Sequence, residues 1–199
     1  MTRAPRSRRR GRLRSVSARL PPRLRVVPEV AAALIRAAEA AYPEEFCALL
    51  LGRPEGLDDE GRDDDGAGTV TRMVAATNRH PDPRHGFELD PAVLFAALRP
   101  EREAERAGRP PPKERVVGHA HSHPDGAAVP SATDRALAHE PGMAWLIVPV
   151  RAGRAGTPTA WRAVAEADGR SGLAPLSLDW PEGEGPGADG KDGAATKKP

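Results

Sequence analysis

The chain has 199 residues, enough for one domain with tails; its 22 prolines, 20 glycines and 4% aromatic content exclude a packed core along the whole length. Ten of its 30 Lys and Arg fall in residues 1–25, which hold no acid, so the formal charge of +2 divides into a basic arm and a body with 20 basic and 28 acidic side chains. One cysteine, Cys47, excludes an internal disulfide and suits a reducing compartment. No apolar stretch of a secretory leader follows the N-terminal arginines, and the longest apolar run, Ala144 to Val150, is too short for a bilayer core of about 30 Å, so a cytoplasmic protein with no membrane partner is expected.

Residues 1–22 are Arg-, Ser- and Pro-rich without hydrophobic period and are expected to be disordered. Glu29 to Ala41 is Ala-rich with apolar positions at helical spacing; Pro28 suits its start and Pro43 its end. Phe46 to Gly52 predicts a buried strand, residues 53–68 an acidic Gly-rich loop, and Thr69 to Thr77 a second strand. Asn78 to Gly86 is a turn-rich connection. Asp90 as N-cap and Pro91 at the first helical position open another helix, with Val93, Leu94, Ala97 and Leu98 on one face; Pro100 is expected to interrupt or end it. Arg115 to His123 predicts a strand, Ser131 to His139 a short helix, and Ala144 to Val150 and Pro158 to Val164 two further strands. Residues 181–199 are low-complexity and expected to be disordered, leaving 23–180 as the folded domain. The alternation of strands and helices predicts an α/β or α+β sandwich around one sheet.

His121-Ser122-His123-Pro124, followed by Ser131 and Asp134, offers two imidazoles and one carboxylate at fixed offsets. On a strand, His121 and His123 point to the same face, about 6.5–7 Å apart at Cα. Two imidazoles so placed converge on one Zn²⁺, and three N/O ligands with one open position make a catalytic zinc pattern. The plain alternative is a pair of surface histidines. Ser131 and Asp134 equally suit a helix-capping box, a role compatible with a place in the cleft. Upstream, Glu44 and Glu45 compete as the base; strand alternation allows only one to face the metal. His119 shares the parity of His121 and His123, as a neighbour of the site or as a packed side chain. Cys47 in its apolar strand reads as a buried, inert thiol. The arginine arm would suit an anionic surface, but it has no aromatic residues for base stacking, so nucleic acid is not an expected partner.

His-x-His, seven residues, then Ser-x-x-Asp, with an upstream Glu, resembles the JAMM (MPN-type) zinc metalloprotease signature, and Gly86-Phe87-Glu88-Leu89-Asp90-Pro91 opening a helix resembles the compact bacterial branch. The resemblance covers residues 26–165. Ala48 stands where the family usually has Gly three residues after its Glu. The resemblance implies an α/β fold with a mixed sheet flanked by helices, similar to the cytidine-deaminase-like architecture. It implies one Zn²⁺ per chain on His121, His123 and Asp134. It selects Glu45 over Glu44 as general base and gives Ser131 the oxyanion. By the same resemblance the substrate is a ubiquitin-like or sulfur-carrier protein with a C-terminal Gly-Gly tail. Catalysis needs such a tail extended against a strand edge near the metal, and the strand at 69–77 and the segment Arg84 to Glu88 are the candidates. The competing reading is a non-catalytic scaffold of the same fold with structural metal or none.

Overall fold

The computed structural model describes residues 23–54, 67–165 and 170–181. The arginine arm, most of the acidic loop and the tail from 182 onward lie outside the described residues. The elements run β1 (Arg23–Val26), α1 (Pro28–Ala41), β2 (Cys47–Arg53), β3 (Ala67–Ala76), α2 (Pro91–Arg106), β4 (Arg115–His123), α3 (Ala132–Leu137), β5 (Ala144–Arg151), β6 (Arg154–Ala155), β7 (Thr159–Ala165) and β8 (Ser171–Asp179).

The architecture is α/β, with a mixed sheet and flanking helices. Strand order is β4-β2-β3-β1-β8-β7-β5-β6, and β4 pairs also with β5, so the sheet closes on itself like a barrel. The pairs β1–β3, β1–β8 and β4–β5 are parallel; the others are antiparallel. Closure leaves β4 paired on both sides, by β2 and by β5.

Strand period decides which side chains meet. Ala48 and Leu50 of β2, Ala120 of β4, and Ala144, Leu146, Val148 and Val150 of β5 join the core that covers α1. That helix buries Val30, Ala31, Leu34 and Ala38, one stripe at helical spacing. Burying Leu34 completely contributes roughly 2–3 kcal/mol. The opposite parity puts Cys47 and Trp145 in a second cluster with Phe87, Ala138, Ala163 and Leu173. His119 and His121 stand among these aromatic rings. Ala48 is fully buried, so its methyl group is accommodated where the family usually has Gly.

Three expectations need correction or extension. Pro100 does not end α2, which continues through it to Arg106. Only Ala104 of that helix is buried, so the Ala96 carbonyl that Pro100 leaves without its amide partner is on a surface helix where water can bond it. The strands β1, β6 and β8 add three members to the sheet that were not foreseen. The sheet also closes on itself, an extension that leaves the expected α/β class with a mixed sheet as it was.

Candidate metal centre

β4 delivers the two histidines. His121 is fully buried and His123 nearly so, and Pro124 ends the strand just beyond them. At the other end of β4, Gly118 lies so close to the parallel strand β5 that a Cβ there would sit 2.2 Å from the Ala144 carbonyl oxygen. Only glycine permits this approach, and it sets the β4–β5 register that carries the histidines. After Pro124 the chain turns back: Gly126 N–H donates to His123 O at 3.0 Å, with Gly126 at φ +80°. The returning loop is tied to β7, where Thr159 Oγ1 donates to Ala128 O at 2.6 Å and accepts from Trp161 Nε1 at 3.1 Å.

The loop leads into α3, whose first turn is a complete capping box. Ser131 Oγ accepts from Asp134 N–H at 3.0 Å, and Asp134 Oδ2 accepts from Ser131 N–H at 2.6 Å. The cap aims Asp134 at the histidines: Oδ1 is 3.2 Å from His121 Nε2, and Oδ2 is 3.2 Å from His123 Nε2. The two Nε2 atoms are 2.9 Å apart. Capping and convergence are therefore both present, as the sequence allowed.

Four of the five residues singled out in the sequence, Glu45, His123, Ser131 and Asp134, line one cavity of about 470 Å³; His121 lies buried behind His123. Glu45 is buried and lines the cavity, while Glu44 is exposed. Burial pushes the Glu45 carboxyl up to about 8; His123 opposes the rise, while Asp134 and Asp125 add to it. Burial would also raise Asp134, but hydrogen bonds with His121 and His123 reverse that and hold it well below the usual carboxylate range. Burial lowers His121, against the pull of Asp134. For His123 burial is outweighed by its hydrogen bond and attraction to Asp134 and by Glu45, so its value rises.

His121, His123 and Asp134 form a group able to hold a metal ion, their ligand atoms all within 4.8 Å of one another. The donors suit a tetrahedral divalent ion, whose ligands at bond lengths of ~2.0–2.1 Å stand about 3.4 Å apart. His123 Nδ1 lies 3.1 Å from Ala127 O, a contact that places the proton on Nδ1 and frees Nε2 as a ligand. His121 Nε2 faces Asp134, while its buried Nδ1 has no hydrogen-bond partner among the described residues, and Phe87 stacks on its ring at 4.4 Å between centroids.

His119 does not join this group. Its ring packs against Trp145 at 4.0 Å and Phe87 at 5.5 Å, and enclosure there pushes its imidazole down to about 3. Cys47 is buried with its thiol 3.6 Å from Ala76 O; burial, then the Glu45 charge, pushes it up to about 11, which leaves it unreactive.

Sequence reasoning passed over Ser122, although it stands between the two histidines. Its Oγ accepts from Phe46 N–H at 2.8 Å, and its own N–H donates to Phe46 O at 3.0 Å. Ser122 thus ties the residue after Glu45 to the strand that carries both histidines. The only signal was its position, since a serine between two ligands has no distinctive pattern. Phe87 was likewise read only as part of a helix-opening segment, with nothing to link it to His121.

The model of the prokaryotic homologs of the JAB domain matches residues 27–164. A desampylase of Haloferax volcanii is 37% identical over 105 residues, which are 53% of this chain and 62% of that relative, so the match spans about three-fifths of the relative's length. A solution structure of a Desulfitobacterium hafniense protein superposes with a TM-score of 0.53 and 25% identity, covering 78% of this chain and 92% of that one. A Salinibacter ruber protein, also solved in solution, gives 0.49 and 32%, covering 81% and 94%.

Proposed function

The chain belongs to the family of prokaryotic homologs of the JAB domain, and we propose that it is a zinc-dependent peptidase or isopeptidase of the JAMM type. The observation that carries this reading is the meeting of His121, His123 and Asp134 at the wall of a cavity that also presents a buried glutamate and a serine hydroxyl. A scaffold of this fold would have no use for Glu45, whose burial as a carboxyl is costly.

In this reading His121 and His123, through Nε2, and Asp134, through its carboxylate, hold one zinc ion per chain. When bound, zinc supplies a Lewis acid that eases ionisation of water near neutral pH. Glu45 accepts the proton from the attacking water and passes it to the departing nitrogen, so that an amine leaves rather than its anion. The Ser131 hydroxyl accepts from Asp134 N–H and keeps its own proton for the oxygen of the scissile carbonyl as charge develops there. The closed sheet around His121 excludes water from the back of the site.

The substrate we assign is a ubiquitin-like or sulfur-carrier protein, cleaved after its C-terminal Gly-Gly. The relative named a desampylase supports a ubiquitin-like substrate. Tyr42, Val129 and Leu137 are exposed apolar side chains on the cavity wall, a rim suited to an extended peptide. Arg84 to Phe87 line the same cavity. No residue of β3 lines this cavity, so the segment from Arg84 is the better tail-docking edge. No helix among the described residues is long and apolar enough to cross a membrane. The buried free thiol of Cys47 suits the reducing, cytoplasmic site of action that we assign.

The test is cleavage of a ubiquitin-like protein ending in Gly-Gly and fused to a short peptide. The purified chain is expected to carry about one zinc and to release the peptide at the tail. A chelator abolishes cleavage and added zinc restores it. Cleavage that persists in metal-free protein rejects the proposal.

A further inference from the structure

Asn78, just beyond β3, uses every hydrogen-bonding capacity of its side chain. Its Nδ2 donates to Glu45 O and to Gly86 O, each at 3.0 Å. Its Oδ1 accepts from His80 N–H at 3.0 Å and from Glu88 N–H at 3.1 Å. Aspartate has the acceptors but no donor, and glutamine has both on a longer arm, so the pattern is specific to asparagine.

The four partners belong to the peptide of Glu45 and to the segment 80–88 that walls the cavity. The same segment holds Glu45 from the other side, where Glu45 N–H donates to Pro83 O at 2.6 Å. Both polar groups of the Glu45 main chain are thus taken by residues 78–83, and both of Phe46 by Ser122. Residues 78–88 are themselves closed into a short hairpin by Arg79 N–H to Glu88 O at 2.8 Å and by the bridge between Asn78 and Leu89. At Gly86 a Cβ would lie 2.9 Å from the His80 ring, so this hairpin has one tight packing around Asn78. Its next residue, Phe87, stacks on His121.

We infer that Asn78 is a positioning residue: it locks the Glu45 peptide to the 80–88 hairpin and thereby fixes where the general base points relative to the histidines. The inference rests on the reading of Glu45 as the base. Asn78 neither lines the cavity nor belongs to the metal-binding group, and it acts on the base through the Glu45 peptide.

The test uses Asn78→Asp in the full chain, which keeps the size and loses both donors. With the Gly-Gly fusion as substrate, kcat is expected to fall about 100-fold, the loss typical of a slightly misplaced catalytic group, with KM and zinc content nearly unchanged. In a Glu45→Gln background the same change is expected to cost less than about twofold, since residues acting as one unit are not additive. A merely structural role gives the same fold-loss in both backgrounds and overturns the inference. A second readout needs no turnover: in metal-free protein the Glu45 amide is expected to exchange at least about tenfold faster in Asn78→Asp, with the Leu34 amide of α1 unchanged. Unchanged exchange at Glu45 also overturns it. If the parent fails to cleave the fusion, the proposed function fails, and amide exchange still decides whether Asn78 holds the Glu45 peptide. Asn78→Ser, which keeps one donor, supplies the same pattern at smaller amplitude should Asn78→Asp not fold.

Discussion

Glu45→Gln is expected to retain its metal and its fold while kcat falls by about 10²–10⁴-fold, the range of a lost general base. Glutamine matches the shape of the side chain and cannot accept a proton. Metal retention follows because the ion would be held by His121, His123 and Asp134, whose donor atoms already converge. The variant also has a signature without substrate. In the metal-free protein burial raises Glu45 from 4.5 to about 8, so the folded state holds a proton that the unfolded state gives up. That contribution to stability is complete below the unfolded value and is lost as pH rises through about 8. Glutamine has no such dependence. The metal-free variant is therefore expected to match the parent in Tm near pH 4.5 and to exceed it increasingly toward pH 9. A divalent cation at the three ligands favours the ionised carboxylate, which brings the base down toward neutral pH where it can work in both directions. Turnover at the parental rate in Glu45→Gln removes Glu45 from the mechanism.

Asp134→Asn is expected to weaken zinc binding by more than about 100-fold, beyond what loss of a partner outside the ligand set costs. Asp134 serves three neighbours at once: His121 and His123 at 3.2 Å each and the Ser131 amide at 2.6 Å. Asparagine offers one oxygen where the carboxylate has two, and it removes the only negative ligand from beside two imidazoles whose Nε2 atoms are 2.9 Å apart. The same change weakens the capping box of α3 and its acidic first turn, which is worth about 1 kcal/mol. The zinc effect is read by competition with a chelator and the capping effect by Tm of the metal-free protein. Protons compete for the same ligands, so zinc is also expected to leave as pH falls. Parental zinc affinity in Asp134→Asn would place the metal elsewhere.

Much of this site was legible in the sequence because its chemistry is local. The offsets among His121, His123, Ser131 and Asp134 need only a strand end, a loop and one helical turn to bring the side chains together, and β4 and α3 supply them. What could not be read is what depends on distant chain. Asn78 is one polar residue in a turn-rich stretch; its four partners, on residues 45, 80, 86 and 88, are known only once the hairpin is folded. β1 carries the alternation Arg-Leu-Arg-Val, with Leu24 and Val26 buried, but four residues at the edge of an arginine-rich arm give a weak period. β8 contains Pro175, which ordinarily argues against a paired strand. There Pro175 faces Trp161 of β7, while β1 pairs only with Ser177 to Asp179, so no ladder bond is demanded of the proline from that side. Closure of the sheet was invisible for the same reason: it is completed by β1 and β8, two strands with poor local signal.

The most direct measurement is a crystal structure of the zinc-loaded protein with anomalous diffraction recorded at the zinc edge. A single peak is expected within about 2.0–2.2 Å of His121 Nε2, His123 Nε2 and an Asp134 oxygen, with the Glu45 carboxylate facing the remaining corner of the tetrahedron. A peak at other residues, or Glu45 directed away from that corner, would contradict the account.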